Sequence, residues 1–298
     1  MPGPEVVGTT HPTTGWPWSR APVRIDPMST HATGEPVTSA DAAEPVVARN
    51  PAPRPVPPTT GPTVSVVIPV RDDAAHLDAC LALLGRQTRR PDEVVVVDNG
   101  STDASALVAR QHGARVVVEP RAGIPYAAAA GYDAARGDLI LRLDADSRPG
   151  PDWVDHAVRV LADPGVHALS GVGRFDLRGP TGALLAHAYL GAYYGLGHLA
   201  AGHPVLWGSS AAFRADDWRR VRDRVTRSGD VHDDLDLALA LGPDARVVVD
   251  RTWRVGVSAR SLRPGRQWVR RFGRAFRTLR RQWDVMPPWE RWEPRLRR

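Results

Sequence analysis

Between Val64 and Leu143 the chain alternates short, unbroken apolar runs with longer segments of helical period. Val64-Ser-Val-Val-Ile68 is β-branched and ends at Pro69. Val94–Val97, Val116–Val118 and Leu139–Leu143 are three further runs of the same kind. Between the first two, Leu77, Cys80, Leu81 and Leu84 recur at i, i+3, i+4 and i+7, one face of a helix that Asp72 or Asp73 can cap. Ile124 to Arg136 is Ala-rich and predicts a second helix. Apolar runs without alternation need cover on both faces, so strands of this type joined by helices predict a doubly wound α/β sheet of mostly parallel strands. Ligands of such sheets sit beyond the carboxyl ends of the strands. The polar clusters Arg71–Asp73, Asp98–Asp103 and Asp144–Asp146 all fall there.

Composition divides the 298 residues into three parts. Residues 1–62 hold 14 of the 28 prolines with no surviving apolar period, which predicts a disordered leader; part of it could stem from a misassigned start. Residues 63–245 carry the α/β pattern, and residues 246–298 form an arginine-rich, partly helical extension. Lysine is absent. From Arg246 onward there are 16 arginines against four acids, net +12, whereas the preceding body is net −6. A basic end of this kind points to phosphate, anionic lipid or nucleic acid as its neighbour. The single cysteine, Cys80, falls on a core-facing helical position and excludes an intramolecular disulfide or multi-cysteine metal site. Ala183–Ala201 carries His187, His198 and three glycines and is too polar for a membrane span, so the expected location is cytoplasmic. The histidines show no metal-ligand spacing.

Several chemistries drop out. Gly171-Val-Gly173 lacks the third glycine of a dinucleotide fingerprint, a Walker A sequence needs a lysine, and no Gly-x-Ser-x-Gly elbow occurs. What remains is a site built from carboxylates. Asp144 and Asp146 stand two apart at a strand end, so both can face one hard divalent cation, Mn²⁺ or Mg²⁺, leaving positions for a diphosphate.

Three segments occur in order: Val64-Ser-Val-Val-Ile-Pro-Val70, Glu93-Val-Val-Val-Val-Asp-Asn-Gly-Ser-Thr-Asp103, and Ala135-Arg-Gly-Asp-Leu-Ile-Leu-Arg-Leu-Asp-Ala-Asp146. Together they resemble the family 2 glycosyltransferases of the GT-A fold over roughly residues 63–245. The resemblance implies an inverting transfer of a sugar from a nucleotide-diphosphate donor with a bound divalent cation. It places Pro69 to Arg71 along the nucleotide and Asp98 on the base or ribose. Asp144 would face ribose and metal, and Asp146 would ligate the metal. Gly208, Ser209 and Ser210 resemble the acceptor-side loop. His232-Asp-Asp-Leu-Asp-Leu237 resembles the acidic segment that supplies the base, which makes Asp234 the base, Asp233 its neighbour and Asp236 a brace for the following helix. Adjacent acids in a cleft raise each other's pKa, which suits a base near neutrality. Acids also favour a helix start for dipole reasons alone.

The chain departs from the family pattern at several points. Ala128 and Ala129 stand where the family often has Arg-Asn, and Asn99 replaces a frequent aspartate. The segment Val255–Arg260 lacks a downstream histidine. Arg121 or Arg142 is the expected substitute for the lost arginine, and Arg260 and Arg270 are further candidates for the donor phosphates. Gln267-Trp-Val-Arg-Arg271 faintly resembles the Gln-x-x-Arg-Trp motif of processive members. It opens a helix on which Trp268, Arg271, Phe272, Ala275, Phe276 and Leu279 share a face, expected to pack inward; a contact with the membrane surface is the other reading. Trp289 and Trp292 could anchor at an interface. The expected partners are thus a nucleotide-sugar donor and a glycan, lipid-linked or small-molecule acceptor, with nucleic acid the weaker fit. A sugar-phosphate nucleotidyltransferase, or a degenerate domain binding glycan or nucleic acid, are the competing functions.

Overall fold

The computed structural model describes residues 61–175, 179–258 and 266–297. The proline-rich leader up to residue 60 and Arg260 lie outside the described residues. The four apolar runs form β1 (Val64–Val70), β2 (Glu93–Asp98), β3 (Arg115–Val118) and β4 (Leu139–Arg142). They pair in parallel in the order β3-β2-β1-β4. β1 is buried along its whole length, as a strand covered on both faces must be. One cover is α1 (Ala74–Leu84), whose buried residues are Leu77, Cys80, Leu81 and Leu84. The other is α3 (Ile124–Ala134). α3 lies against the sheet so closely that a Cβ at Gly131 would come within 2.3 Å of Val67 Cγ1. The short α2 (Ser105–Gln111) completes this half.

The second half reverses direction. After β5 (Arg148–Pro149) and α4 (Trp153–Val160), β6 (Ala168–Phe175) leads into α5 (Gly179–Ala201). β7 (Ala211–Arg214) is antiparallel to both β4 and β6. After α6 (Ala215–Val221) and α7 (Asp233–Leu241), β8 (Val247–Val257) pairs parallel with β6 and antiparallel with β5. The eight strands form one mixed sheet, β3-β2-β1-β4-β7-β6-β8-β5. A boundary at residue 245 therefore runs immediately before a strand of the same sheet. The helices after it are α8 (Arg266–Val285) and α9 (Pro288–Leu296).

The C-terminal helices are fastened largely through polar groups. Thr278 Oγ1 accepts the His232 amide, and Gln282 Nε2 donates to the buried Asp236 carboxylate at 2.7 Å. The Trp283 and Trp292 indoles donate to the Ala200 and Leu199 carbonyls. Arg291 is buried and donates to the carbonyls of Met286, Leu239 and Gln282. These lie near the C-terminal ends of α7 and α8, where free carbonyls favour a cation. The helix face is thus not the one expected: Phe272 and Phe276 are exposed, while Thr278 and Gln282 are buried. No helix among the described residues is long and apolar enough to cross a membrane.

Candidate active site

A cleft of about 410 Å³ opens at the carboxyl ends of β1 and β4. Pro69, Val70 and Arg71 line it from β1 and the turn that follows, Asn99 from the end of β2, and Asp144 and Asp146 from the segment after β4. Gly208 and Ser209 enter just before β7, and His232, Asp233 and Asp234 from the start of α7. Carboxylates from two separate stretches therefore meet on one cleft.

The tie between them is Arg142, the last residue of β4. It is buried; Nη2 donates to Asp144 Oδ1 at 3.1 Å, while Nη1 stands 2.6 Å from Asp233 Oδ2 in an ion pair. Burial acts to lower the guanidinium pKa, but Asp233, Asp144 and Asp234 outweigh it and raise it above its ordinary value. Burial, reinforced by Asp234 and Asp144, pushes the Asp233 carboxyl up to about 6 in spite of Arg142. Only a residue without a side chain can lie over this guanidinium: a Cβ on Gly208 would sit 2.1 Å from Arg142 Nη1.

The other acids are held from the backbone. Asp234 accepts the Gly208 amide on Oδ2 and the Leu235 amide on Oδ1, both at 2.8 Å. His232 Nδ1 is 3.9 Å from Asp234 Oδ1, and its Nε2 faces the Arg271 carbonyl at 3.2 Å. Ser209 Oγ donates to Asp144 Oδ2. Asp236, buried in the same turn of α7, accepts the Thr226 amide and the Gln282 side chain, as expected of a brace. Cys80 is buried, and its thiol is pushed up by burial and then by Asp146 and Asp144, an inert packing group.

Other candidates fall elsewhere. Ser210 is buried, accepts the Trp153 indole at 3.0 Å, and does not reach the cleft. Asp98 accepts the Ser101 amide at 2.9 Å and does not line the cleft. Arg121 makes two side-chain hydrogen bonds to Glu119, lies 4.7 Å over the Tyr126 ring, and is likewise outside the lining. Arg270 is exposed; the arginines of α8 that reach the cleft are Arg271 and Arg274. One helical position separates Arg270 from Arg271, and only the docked orientation of α8 decides which of them turns inward.

Two departures from the family pattern have a physical account. Ala128 and Ala129 are buried in α3, packed beside Ile140 and Val97 in a core that leaves no space for an arginine. Asn99 donates from Nδ2 to the carbonyls of Glu119 and Arg121, each at 2.8 Å, and accepts the Gly123 amide on Oδ1. An ionised aspartate has no donor for those two carbonyls.

Sequence reasoning missed an aromatic wall made by Phe175, Tyr189, Tyr193 and Trp207. The spacing of Tyr189 and Tyr193, four apart on α5, was the available signal. Burial pushes the Tyr193 phenol well above its usual range, with Asp234 adding to the effect. For a cation, the donors on this rim are the hard oxygens of Asp144 and Asp146. Among the described residues no three histidines, cysteines or acids gather into a closed metal cage.

The comparisons with known proteins agree with this geometry. The protein is 32% identical over 139 residues to glycosyltransferase AglE of Haloferax volcanii, covering 44% of this chain and 45% of that protein. It is 36% identical over 110 residues to the undecaprenyl-phosphate 4-deoxy-4-formamido-L-arabinose transferase of Serratia proteamaculans, covering 34% of each. The chain thus spans less than half the length of these curated relatives. Among solved structures, the mannosyltransferase PcManGT of Pyrobaculum calidifontis, in complex with GDP-Man and Mn²⁺, superposes with a TM-score of 0.59 at 24% identity, covering 78% of this chain and 68% of that one. Glucosyl-3-phosphoglycerate synthase of Mycobacterium tuberculosis, in complex with UDP, gives 0.52 at 23% identity, covering 74% of this chain and 80% of that one. Both share the mixed GT-A sheet. The family model for glycosyl transferase family 2 matches residues 65–221, more than half of the sequence, from β1 to the end of α6. With that match added to the fold and the acidic rim, the chain belongs to glycosyl transferase family 2.

Proposed function

We propose that the protein moves a sugar from a nucleotide-diphosphate donor to an acceptor hydroxyl with inversion at the anomeric carbon. The observation that carries this reading is the Arg142 bridge, which joins Asp144 to Asp233 and so sets the strand-end acids and the α7 acids on one cleft. The nucleotide would lie along Pro69, Val70 and Arg71, with the diphosphate toward Asp144 and Asp146. Asp234, steadied by two backbone amides, takes the proton of the acceptor hydroxyl. The hydroxyl oxygen bonds to the anomeric carbon as the bond to the diphosphate breaks on the opposite face. The leaving nucleoside diphosphate keeps the electron pair.

The growing negative charge is met by Arg271 and Arg274 from α8. They supply from the opposite wall the cation that the packed Ala128–Ala129 pair cannot. Asp144 and Asp146 would hold a divalent cation, Mn²⁺ or Mg²⁺, which suits their all-oxygen donors and supplies Lewis-acid neutralisation of the diphosphate when bound. The wall of Phe175, Tyr189, Tyr193 and Trp207 gives an acceptor flat apolar faces to rest on, whether it is a glycan, a lipid-linked sugar or a small molecule.

The test pairs a thermal-shift panel of UDP-, GDP- and dTDP-sugars, with and without Mn²⁺, with turnover of the donor that stabilises the protein. Asp234→Asn is expected to keep the donor-induced shift and lose about 10²–10⁴-fold in turnover, the usual contribution of a positioned base. Unchanged turnover in Asp234→Asn would remove Asp234 from the mechanism. Release of pyrophosphate from a nucleoside triphosphate, in place of nucleoside diphosphate from a nucleotide sugar, would make the protein a nucleotidyltransferase.

A further inference from the structure

α8 is docked by its polar face. Thr278 and Gln282 are buried against the segment that opens α7, Arg271 and Arg274 turn into the cleft, and Ala275 and Leu279 are half-buried. The opposite side carries Val269, Phe272 and Phe276, which are 76%, 63% and 62% exposed. Their spacing of three and four residues aligns them in one stripe along the outer surface of the helix. In a water-soluble helix this stripe would be expected to face the core, so its outward position calls for a cause.

The charges beside the stripe supply one. Within α8 there are seven arginines and one acid, Asp284. Arg270, Arg277, Arg280 and Arg281 are all exposed, and Arg280 continues the stripe one turn beyond Phe276. Arg277 and Arg281 share Asp230 as an ion-pair partner, so the stripe is flanked by more positive than negative charge even after pairing. Exposed aromatic side chains in line, bordered by arginine, match the interfacial plane of an anionic bilayer: the rings enter the acyl boundary while the guanidinium groups stay among the headgroups. A nucleic acid would use the arginines and leave the two phenylalanines and the valine in water.

We infer that the outer face of α8, through Val269, Phe272, Phe276 and the adjacent arginines, docks the protein on the surface of an anionic lipid bilayer. This surface is separate from the transfer chemistry and stands whether or not that chemistry is correctly assigned. The experiment is sedimentation of the full chain with vesicles of phosphatidylcholine mixed with phosphatidylglycerol, and with phosphatidylcholine alone. The wild type is expected to partition onto the mixed vesicles and much less onto the neutral ones, and salt should weaken the binding. Phe272→Ser/Phe276→Ser should lower the partition coefficient by at least about tenfold, because two rings no longer enter the interface. Arg280→Glu, which leaves the apolar stripe intact, should lower it several-fold. The far-ultraviolet circular dichroism spectrum and thermal midpoint serve as the control for folding and are expected to be unchanged in both variants. The inference is overturned by a wild type that does not sediment with the mixed vesicles. It is also overturned if the double variant sediments as well as wild type, which would make the attraction purely electrostatic. Binding to duplex DNA without binding to vesicles overturns it in favour of a nucleic-acid surface. A dimer that the double variant dissolves, again without vesicle binding, overturns it in favour of a second copy of the chain.

Discussion

The four-strand parallel half and the C-terminal helical cap stand on the same cleft but are held by opposite means. β1, β2 and β4 bury their side chains almost without exception between α1 and α3, so that half rests on apolar surface removed from water. α8 and α9 are fastened by side-chain donors on carbonyls and by Gln282 on Asp236, while several of their large apolar residues remain in water. Each half therefore fails in its own way. Apolar burial is non-directional and fails as a whole, whereas a directional clamp fails locally.

The largest expected effect is at the junction. Arg142→Met removes the cation between Asp144 and Asp233 and leaves the Asp233 carboxyl buried with like charges beside it. A cost of about 3–5 kcal/mol is expected from chemical denaturation, together with loss of donor-dependent stabilisation. Within the sheet, Ile68→Ala empties a fully buried site and should cost about 2–5 kcal/mol, with slowly exchanging amides in β1 and α9 losing protection together.

The cap offers a test by pH. His203 is fully buried just beyond α5; Nδ1–H donates to the Pro204 carbonyl at 2.7 Å, and Nε2 has no partner among the described residues. Burial, with Arg295 and Arg291 nearby, lowers its pKa from 6.5 to about 4. The unfolded chain therefore takes up this proton at a higher pH than the folded one. The stability linked to His203 is complete above about pH 6.5 and is lost as pH falls toward 4, by about 3 kcal/mol across the window. In His203→Asn the stability-versus-pH slope over that range should flatten, whatever the change in absolute stability. The smallest effect is expected for Arg291→Met, which withdraws its carbonyl hydrogen bonds at a cost of about 1–3 kcal/mol. Hydrogen exchange should report it as faster opening of α9 with β1 unchanged. Equal loss of protection in both would mean that cap and sheet open as one unit.

The same contrast explains what the sequence made legible. β1 to β4 could be read because strands buried on both faces write themselves as unbroken Val, Ile and Leu runs, and the period of Leu77, Cys80, Leu81 and Leu84 leaves one orientation for α1. The two-residue β5 carries no such mark and is a strand because β8 pairs with it, and the polar stretch Asp250–Arg251–Thr252 falls at the irregularity where the pairing of β8 with β6 jumps from Val249 to Arg254. At the site, Asp144 and Asp146 could be named because paired carboxylates at a strand end are conspicuous in a chain without phosphate-cradling motifs, whereas Asp233 and Asp234 stand out only through the family resemblance, since acids at a helix start suit the dipole alone. Arg271 and Arg274 could not be separated from Arg270, because the phase of α8 is decided by Thr278 and Gln282 meeting His232 and Asp236. Those buried polar groups read as solvent-facing until their partners are seen. Ser210 illustrates the converse: its neighbour Ser209 faces Asp144, while Ser210 itself serves the Trp153 indole.

The Arg142 bridge also bears on the order in which the molecule is completed. The stretch that matches the family ends with α6, before the aspartate that closes the bridge. A chain growing from its N-terminus would hold the strand end, with Arg142 already beside Asp144, well before α7 exists to bring Asp233 to it. The cleft thus gains its second set of acids only when α7 folds back onto β4, and a partly made chain would present the strand-end wall without the acidic rim that faces it.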